Sequence, residues 1–167
     1  MRILDPTCSA RSIWYHKNDP HVIHCDKRNE DIILSGDGRV HKIRPDVQCD
    51  FTLMPFVSSS FDMVVFDPPH LKDLKPKAWM AQKYGRLFPD WKDTIQSGFC
   101  ESWRVLKEGG ILIFKWCVGE NDVTNNRYVS LKDVLELAPV SPLFGHTTGA
   151  KNHTRWITFV KFPDNDK

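Results

Sequence analysis

The sequence predicts an α/β protein built on one mixed sheet, and three observations carry that reading. Short, β-branched apolar runs alternate with helix-compatible stretches through the first five strands. The first four runs each close on an acid: Asp5, Asp26, Asp50 and Asp67. A last pair of runs is joined by a short turn, which adds an antiparallel edge to an otherwise parallel sheet. At 167 residues, the chain suits one domain over 1–167, with no room for a separate target-recognition domain.

Composition narrows the partners. A formal charge of +2 excludes binding of polyanions by bulk field, so any nucleic-acid contact must come from local basic patches. The five cysteines are odd in number and form no C-x-x-C pair, which reads as reduced, buried thiols of a cytosolic protein. His16, His21, His24 and Cys25 lie close in sequence, but His24 and Cys25 are neighbours on a predicted strand and point to opposite faces. No metal is expected. No apolar run approaches the roughly 20 residues needed to span a bilayer, and the start lacks a basic-then-apolar pattern, so a cytoplasmic location is expected and no membrane partner.

The elements follow in order. Arg2-Ile3-Leu4-Asp5 is a short strand, after which Pro6, Thr7, Cys8 and Ser9 form a small-residue turn. A helix is expected next, capped by Thr7, Ser9 or Ser12, with Ile13 and Trp14 on its apolar side. Val22-Ile23-His24-Cys25-Asp26 is the second strand. An acid about 20 residues after a nucleotide-binding turn can accept both ribose hydroxyls, while the alternative is a cap for the turn at Lys27-Arg28-Asn29. Ser35-Gly36-Asp37-Gly38 marks a turn whose flanks either pair as a hairpin or extend a loop. Val47-Gln48-Cys49-Asp50-Phe51 is the third main strand.

Met63-Val64-Val65-Phe66 suits a central parallel strand covered on both faces. Pro68 and Pro69 cannot donate ladder hydrogen bonds and fix φ, so they end the strand and hold Asp67 at its C-terminal tip, where open α/β sheets bind ligands. Residues 71–89 lack a clear apolar period but interleave Lys72, Lys75, Lys77, Lys83 and Arg86 with Trp79, Tyr84 and Phe88. They read either as a mobile lid over a base and its phosphates or as a solvated loop whose aromatics pack on the domain. A helix over 90–106 follows, with Asp90 as cap, and Lys107-Glu108-Gly109-Gly110 is its stop. Ile111 to Trp116 form the fifth strand. Lys115 near its end is open to three roles: a snorkelling surface lysine, a guide for substrate phosphate, or a partner that orients Asp67. Ser130 caps a helix that carries Asp133, and two strands complete the chain, with residues 147–153 as an acid-free tip.

Asp67-Pro68-Pro69-His70 fits the loop [D/N/S]-P-P-[Y/F/W/H]. The sequence resembles the class I S-adenosylmethionine-dependent methyltransferases, within them the amino-methyltransferases, and in size small prophage-encoded members. Leu53-Met54-Pro55-Phe56 with Ser60-Phe61-Asp62, and Arg104-Val105-Leu106-Lys107-Glu108-Gly109-Gly110, match two further stretches of the family. Asp5-Pro6-Thr7-Cys8-Ser9-Ala10 stands where that family carries its glycine-rich first motif, with serine and alanine in the glycine positions.

The resemblance implies a Rossmann-like, seven-stranded sheet of order 3-2-1-4-5-7-6 with helices on both faces, and S-adenosylmethionine as cofactor. It implies that Asp5, Pro6, Thr7, Cys8, Ser9, Asp26, Asp50 and Phe51 line the cofactor, with Phe51 or Leu53 walling its adenine. Asp67 and the Pro68 carbonyl would hold the target amine, with Pro69 stiffening the loop and His70 stacking on the base. Lys75, Lys77, Trp79, Lys83, Tyr84 and Lys115 are the substrate-side candidates, for a DNA or RNA base with adenine favoured. Two other readings stand beside it: transfer to a small molecule or protein amide, and a non-catalytic cofactor or nucleic-acid binding module.

Overall fold

The computed structural model describes residues 1–36, 38–118, 127–148 and 153–163. Its elements are β1 (Ile3–Asp5), β2 (Val22–Asp26), β3 (Glu30–Ile33), β4 (Val40–Ile43), β5 (Val47–Gln48), β6 (Phe61–Phe66), α1 (Trp79–Tyr84), α2 (Trp91–Val105), β7 (Leu106–Val118), α3 (Leu131–Leu135), β8 (Phe144–Thr148) and β9 (His153–Val160). Seven strands form the main sheet in the order β5-β2-β1-β6-β7-β9-β8, and β3 pairs with β4 as a separate hairpin. Counted within the main sheet alone, that is the expected order 3-2-1-4-5-7-6. In that sheet β1, β2, β5, β6 and β7 pair in parallel, and β9 runs antiparallel to both β7 and β8.

The central strands are near-continuous apolar runs because both their faces are covered. Val64, Phe66, Leu112, Phe114 and Trp116 are fully buried, and α2 adds Ile95 and Phe99 to the same core. The Phe99 ring lies 4.8 Å from Phe114, 5.7 Å from Phe66 and 6.0 Å from Phe159, centroid to centroid. Burial of each such ring stabilises the fold by about 1.5–3 kcal/mol. Gly98 lets α2 approach this closely: a Cβ there would meet Phe66 at 2.6 Å and Phe51 at 2.8 Å.

The local structure departs from expectation in four places. No helix follows β1; residues 6–20 cross to β2 through turns. Ser9 and Arg11 sit at φ 47° and 56°, outside helical space. The Trp14 indole donates to Asp5 at 2.7 Å, and the Arg11 guanidinium bonds the carbonyls of Lys17 and Arg44 as well as Asp46. Side-chain bonds to the body thus outcompete a short helix whose own nucleation is costly. Asp90 does not cap α2 through its side chain; its backbone carbonyl accepts from Thr94 instead. The glycine stretch after α2 is no separate turn, since β7 starts at Leu106 and slips register there: Leu106 opposes Phe61 and Ile111 opposes Met63. Cys100, expected to be buried, is exposed on α2, while all five thiols are free.

The open reading around Gly36 closes: β3 and β4 pair as a hairpin. Ser130 caps α3 as expected, accepting from the Asp133 amide at 3.1 Å. The expected tip at 147–153 falls largely outside the described residues, Lys151 included.

Candidate active site

The C-terminal tips of β1, β2, β5, β6 and β7 open on a cleft of about 850 Å³. Asp5, Pro6, Thr7, Cys8, Ser9, Asp26, Asp50 and Phe51 all line it, as do Asp67, Pro68, Pro69 and His70. Leu53 does not; the residue is 79 % exposed. Asp5 is fully buried and organises the first loop, with Oδ1 accepting from the Thr7 amide and Oδ2 from Trp14. The Thr7 hydroxyl in turn accepts from the Asp67 amide at 3.0 Å. The two loops that begin after β1 and β6 are therefore one hydrogen-bonded unit.

Asp26 closes the other half. Its carboxylate accepts from the Ser9 amide, the Arg28 amide and two guanidinium nitrogens of Arg28, at 2.9–3.2 Å. A carboxylate offers about four acceptor sites, so the chain's own donors saturate it. Arg28 also donates to the Gln82 carbonyl of α1, and the Ser9 hydroxyl donates to the Lys83 carbonyl beside it. Ser9 Oγ further meets His41 Nε2 of the hairpin at 3.0 Å. Burial, with Lys83 and Arg28 close by, keeps His41 below the ordinary histidine range. Asp50 accepts from the amide and hydroxyl of Thr52, and Phe51 packs edge-on against Phe66 at 5.4 Å.

Asp67 stands one residue beyond β6, beside the end of β7, where Phe66 pairs with Phe114. Lys115, next in that register, donates to Asp67 Oδ2 at 2.6 Å. Among the described residues, Oδ1 carries no partner. Burial raises the Asp67 carboxyl above the usual carboxylate range despite Lys115, and Asp5 adds to the effect. His70 is pulled down to about 4, first by burial and then by the Lys115 charge, against a smaller opposing effect of the Pro68 carbonyl. The imidazole is thus neutral at pH 7, set edge-on to Trp116 at 6.0 Å.

The substrate-side candidates divide. Tyr84 and Lys115 line the cleft, whereas Lys75, Lys77, Trp79 and Lys83 do not. Lys75 and Lys77 are exposed, and the Lys83 ammonium lies 4.8 Å from the ring centroids of both Trp79 and Tyr84. Residues 71–89 contain α1 and a small cluster of buried Leu71, Leu74 and Ala81, tied down by bridges from Leu71 to Tyr128 and Lys72 to Leu87. Sequence reasoning missed several residues here. Arg28, Thr94, Cys117 and Thr154 line the cleft, as does Gly85 at φ 80°, where a Cβ would sit 2.9 Å from the Pro69 ring. A glycine directly after a helical stretch is a readable C-terminal signal. His41 carried no comparable signal, because its partner Ser9 lies in the first loop.

No group of three or more His, Cys, Asp or Glu side chains suited to a metal occurs among the described residues, and no helix there is long and apolar enough to cross a membrane. No family model matches the sequence, and no curated protein does. Solved structures do. A SAM-dependent methyltransferase from Methanosarcina mazei superposes with a TM-score of 0.58 at 15 % identity, over 96 % of this chain and 92 % of that one. The fold is that of the class I methyltransferases. Two other structures with this fold carry the cofactor or its product. The Burkholderia thailandensis 1,6-didemethyltoxoflavin-N1-methyltransferase, with its substrate and S-adenosylhomocysteine bound, has a TM-score of 0.55 at 14 % identity over 96 % and 71 % of the two chains. The magnesium protoporphyrin IX methyltransferase of Synechocystis, with SAM bound, has 0.53 at 10 % over 95 % and 68 %.

Proposed function

We propose that the chain transfers a methyl group from S-adenosylmethionine to an exocyclic amine of a nucleic-acid base, with adenine favoured over cytosine and guanine. One observation carries this reading. Asp67 is held at the strand tip by Thr7 on one side and Lys115 on the other, with Oδ1 left for a donor in the cleft.

The residues of the cofactor half fit the group. The cleft is large enough, the first loop lines it with small side chains, and Asp26 and Asp50 line it from the tips of the neighbouring strands β2 and β5. When bound, S-adenosylmethionine supplies an electrophilic methyl carbon on a sulfonium. Asp26 would accept the ribose hydroxyls, for which the Arg28 guanidinium has to release it. Asp50 and Phe51, which also line the cleft, would bond and wall the adenine.

An exocyclic amine is a poor nucleophile because its lone pair is delocalised into the ring. Asp67 Oδ1 and the Pro68 carbonyl accept its two N–H bonds, which localises the lone pair and directs it along the attack line. His70, being neutral, presents a flat ring to the base without adding a charge. The extra proton leaves the nitrogen after the methyl has moved, so no strong general base is required. A duplex target must leave the helix first, at a cost of a few kcal/mol.

A second reading, a small-molecule amine, is favoured by the placement of Lys75, Lys77, Trp79 and Lys83 outside the cleft. Calorimetry with S-adenosylmethionine, followed by tritium transfer to adenine oligonucleotides in competition with small amines, separates these readings from a non-catalytic binding module. Asp67→Ala should retain cofactor affinity within a few fold and lose nearly all turnover, because its work lies in the transition state. An Asp67→Ala protein that methylates oligonucleotides at the wild-type rate would end the assignment.

A further inference from the structure

The proposed chemistry asks Asp67 to act as a hydrogen-bond acceptor, yet the fold places that carboxylate where water is scarce. Its side chain retains 16 % of its exposure, at the foot of the cleft. The groups that face it are few. Asp5 of β1 is a like charge; His70 on its own loop is neutral; Cys117 of β7 is a thiol raised by burial. Among the described residues, Lys115 is the one cation of this group, on the adjacent parallel strand and one step past the Phe66–Phe114 pair.

Lys115 is itself confined. Its ammonium lies 2.6 Å from Asp67 Oδ2 and 5.8 Å from the ring centroid of Trp156, the residue opposite it on β9. Its side chain is only 21 % exposed, unlike a lysine that snorkels to solvent. Bracketed in this way, it is committed to Asp67 and has little charge to lend to a distant phosphate.

We infer that Lys115 is a positioning residue that holds Asp67 as a carboxylate in one rotamer, with Oδ2 occupied and Oδ1 facing the amine. The inference rests on the amine-transfer reading for its catalytic consequence, while its physical core concerns the pair alone. A protonated Asp67 would lose the acceptor that localises the amine lone pair. Burial and Asp5 both push toward that protonated form, and Lys115 opposes them.

The test follows the carboxyl directly. In a ¹³C NMR titration, Lys115→Met should move the Asp67 midpoint up by about one to three pH units, the usual effect of an adjacent opposite charge. Lys115→Arg, which keeps the cation, should leave it near the wild-type position. With an adenine-containing single-stranded oligonucleotide as substrate, the acid limb of kcat/KM in Lys115→Met should shift upward by the same amount. Lost activity should return at higher pH, with S-adenosylmethionine affinity unchanged within a few fold. If circular dichroism shows Lys115→Met to be unfolded, Lys115→Gln carries the same titration. An unmoved Asp67 midpoint in a folded variant overturns the inference. So does a KM that rises with the number of substrate phosphates while the pH profile stays put, since that is the signature of phosphate steering. If wild-type protein methylates no amine, the proposed function fails, and the carboxyl titration still decides the role of Lys115.

Discussion

His70 shows how burial at a single residue sets behaviour that no motif records. Its folded-state pKa, about 4, lies below the ordinary value of 6.5. As pH falls through 6.5 the unfolded chain takes up a proton that the folded chain refuses until near 4. The associated stability, about 3 kcal/mol by linkage, is therefore fully present above 6.5 and lost on acidification toward 4. Asp67 acts in the opposite sense, because its raised pKa lets the folded state bind a proton before the unfolded one does. Replacement isolates the histidine. In His70→Phe, which keeps a flat ring and removes the titrating nitrogens, urea denaturation between pH 4.5 and 7 should show a flatter dependence of stability on pH. Parallel curves for the two proteins would show that His70 is not protected in this way. Ser9 makes a related point, since it takes φ 47° where the resembled family carries glycine, and its hydroxyl bonds the Lys83 carbonyl. The serine accepts a strained backbone and gains a contact glycine does not have.

At the scale of elements, α1 and the Asp67 loop are joined through Gly85. That residue ends α1 at φ 80°, with its amide donating to the Ala81 carbonyl, and its missing Cβ leaves room for Pro69. Gly85→Ala meets both a conformational penalty and a contact of 2.9 Å with the Pro69 ring. It should destabilise the protein by about 1–3 kcal/mol. Because the ring it pushes belongs to the Asp67 loop, kcat should fall more than cofactor affinity. Thermal denaturation and calorimetry read the two effects separately, and equal losses in both would point to general unfolding. The sequence marks the glycine and the two prolines; their contact depends on how α1 folds back over the sheet.

For the whole molecule, a net charge of +2 leaves any attraction for nucleic acid to local patches. Lys75 and Lys77 are exposed outside the cleft, while the Lys83 ammonium already lies over two rings. If single-stranded nucleic acid is held along residues 71–89, a Lys75→Ala/Lys77→Ala double variant should reduce the slope of log K against log salt by about 1.4, twice the single-strand increment of ~0.7 per phosphate. Lys83→Ala should reduce it less. An unaltered slope in the double variant would remove these lysines from any phosphate path.

The strand tips and the location of the cleft were legible because they rest on local facts, whereas the strand order came only with the family resemblance. Apolar runs ending on Asp5, Asp26 and Asp67 suffice to place strand tips, and two prolines after Asp67 stop a strand wherever it lies. The missing helix after β1 was not legible. Ser9, Ile13 and Trp14 have the spacing of one, but Trp14 is claimed by Asp5 and Arg11 by Asp46 and two carbonyls, partners that only the folded chain brings near. The same holds at the site. The sequence by itself determined which acids stand at the tips, since alternation and chain breakers act over a few residues. Only the tertiary structure decided what each acid meets: Arg28, Ser9 and α1 around Asp26, and Thr7 and Lys115 around Asp67. A carboxylate's pairing and ionisation depend on charge and burial contributed by segments up to 60 residues away, and no local pattern carries that information.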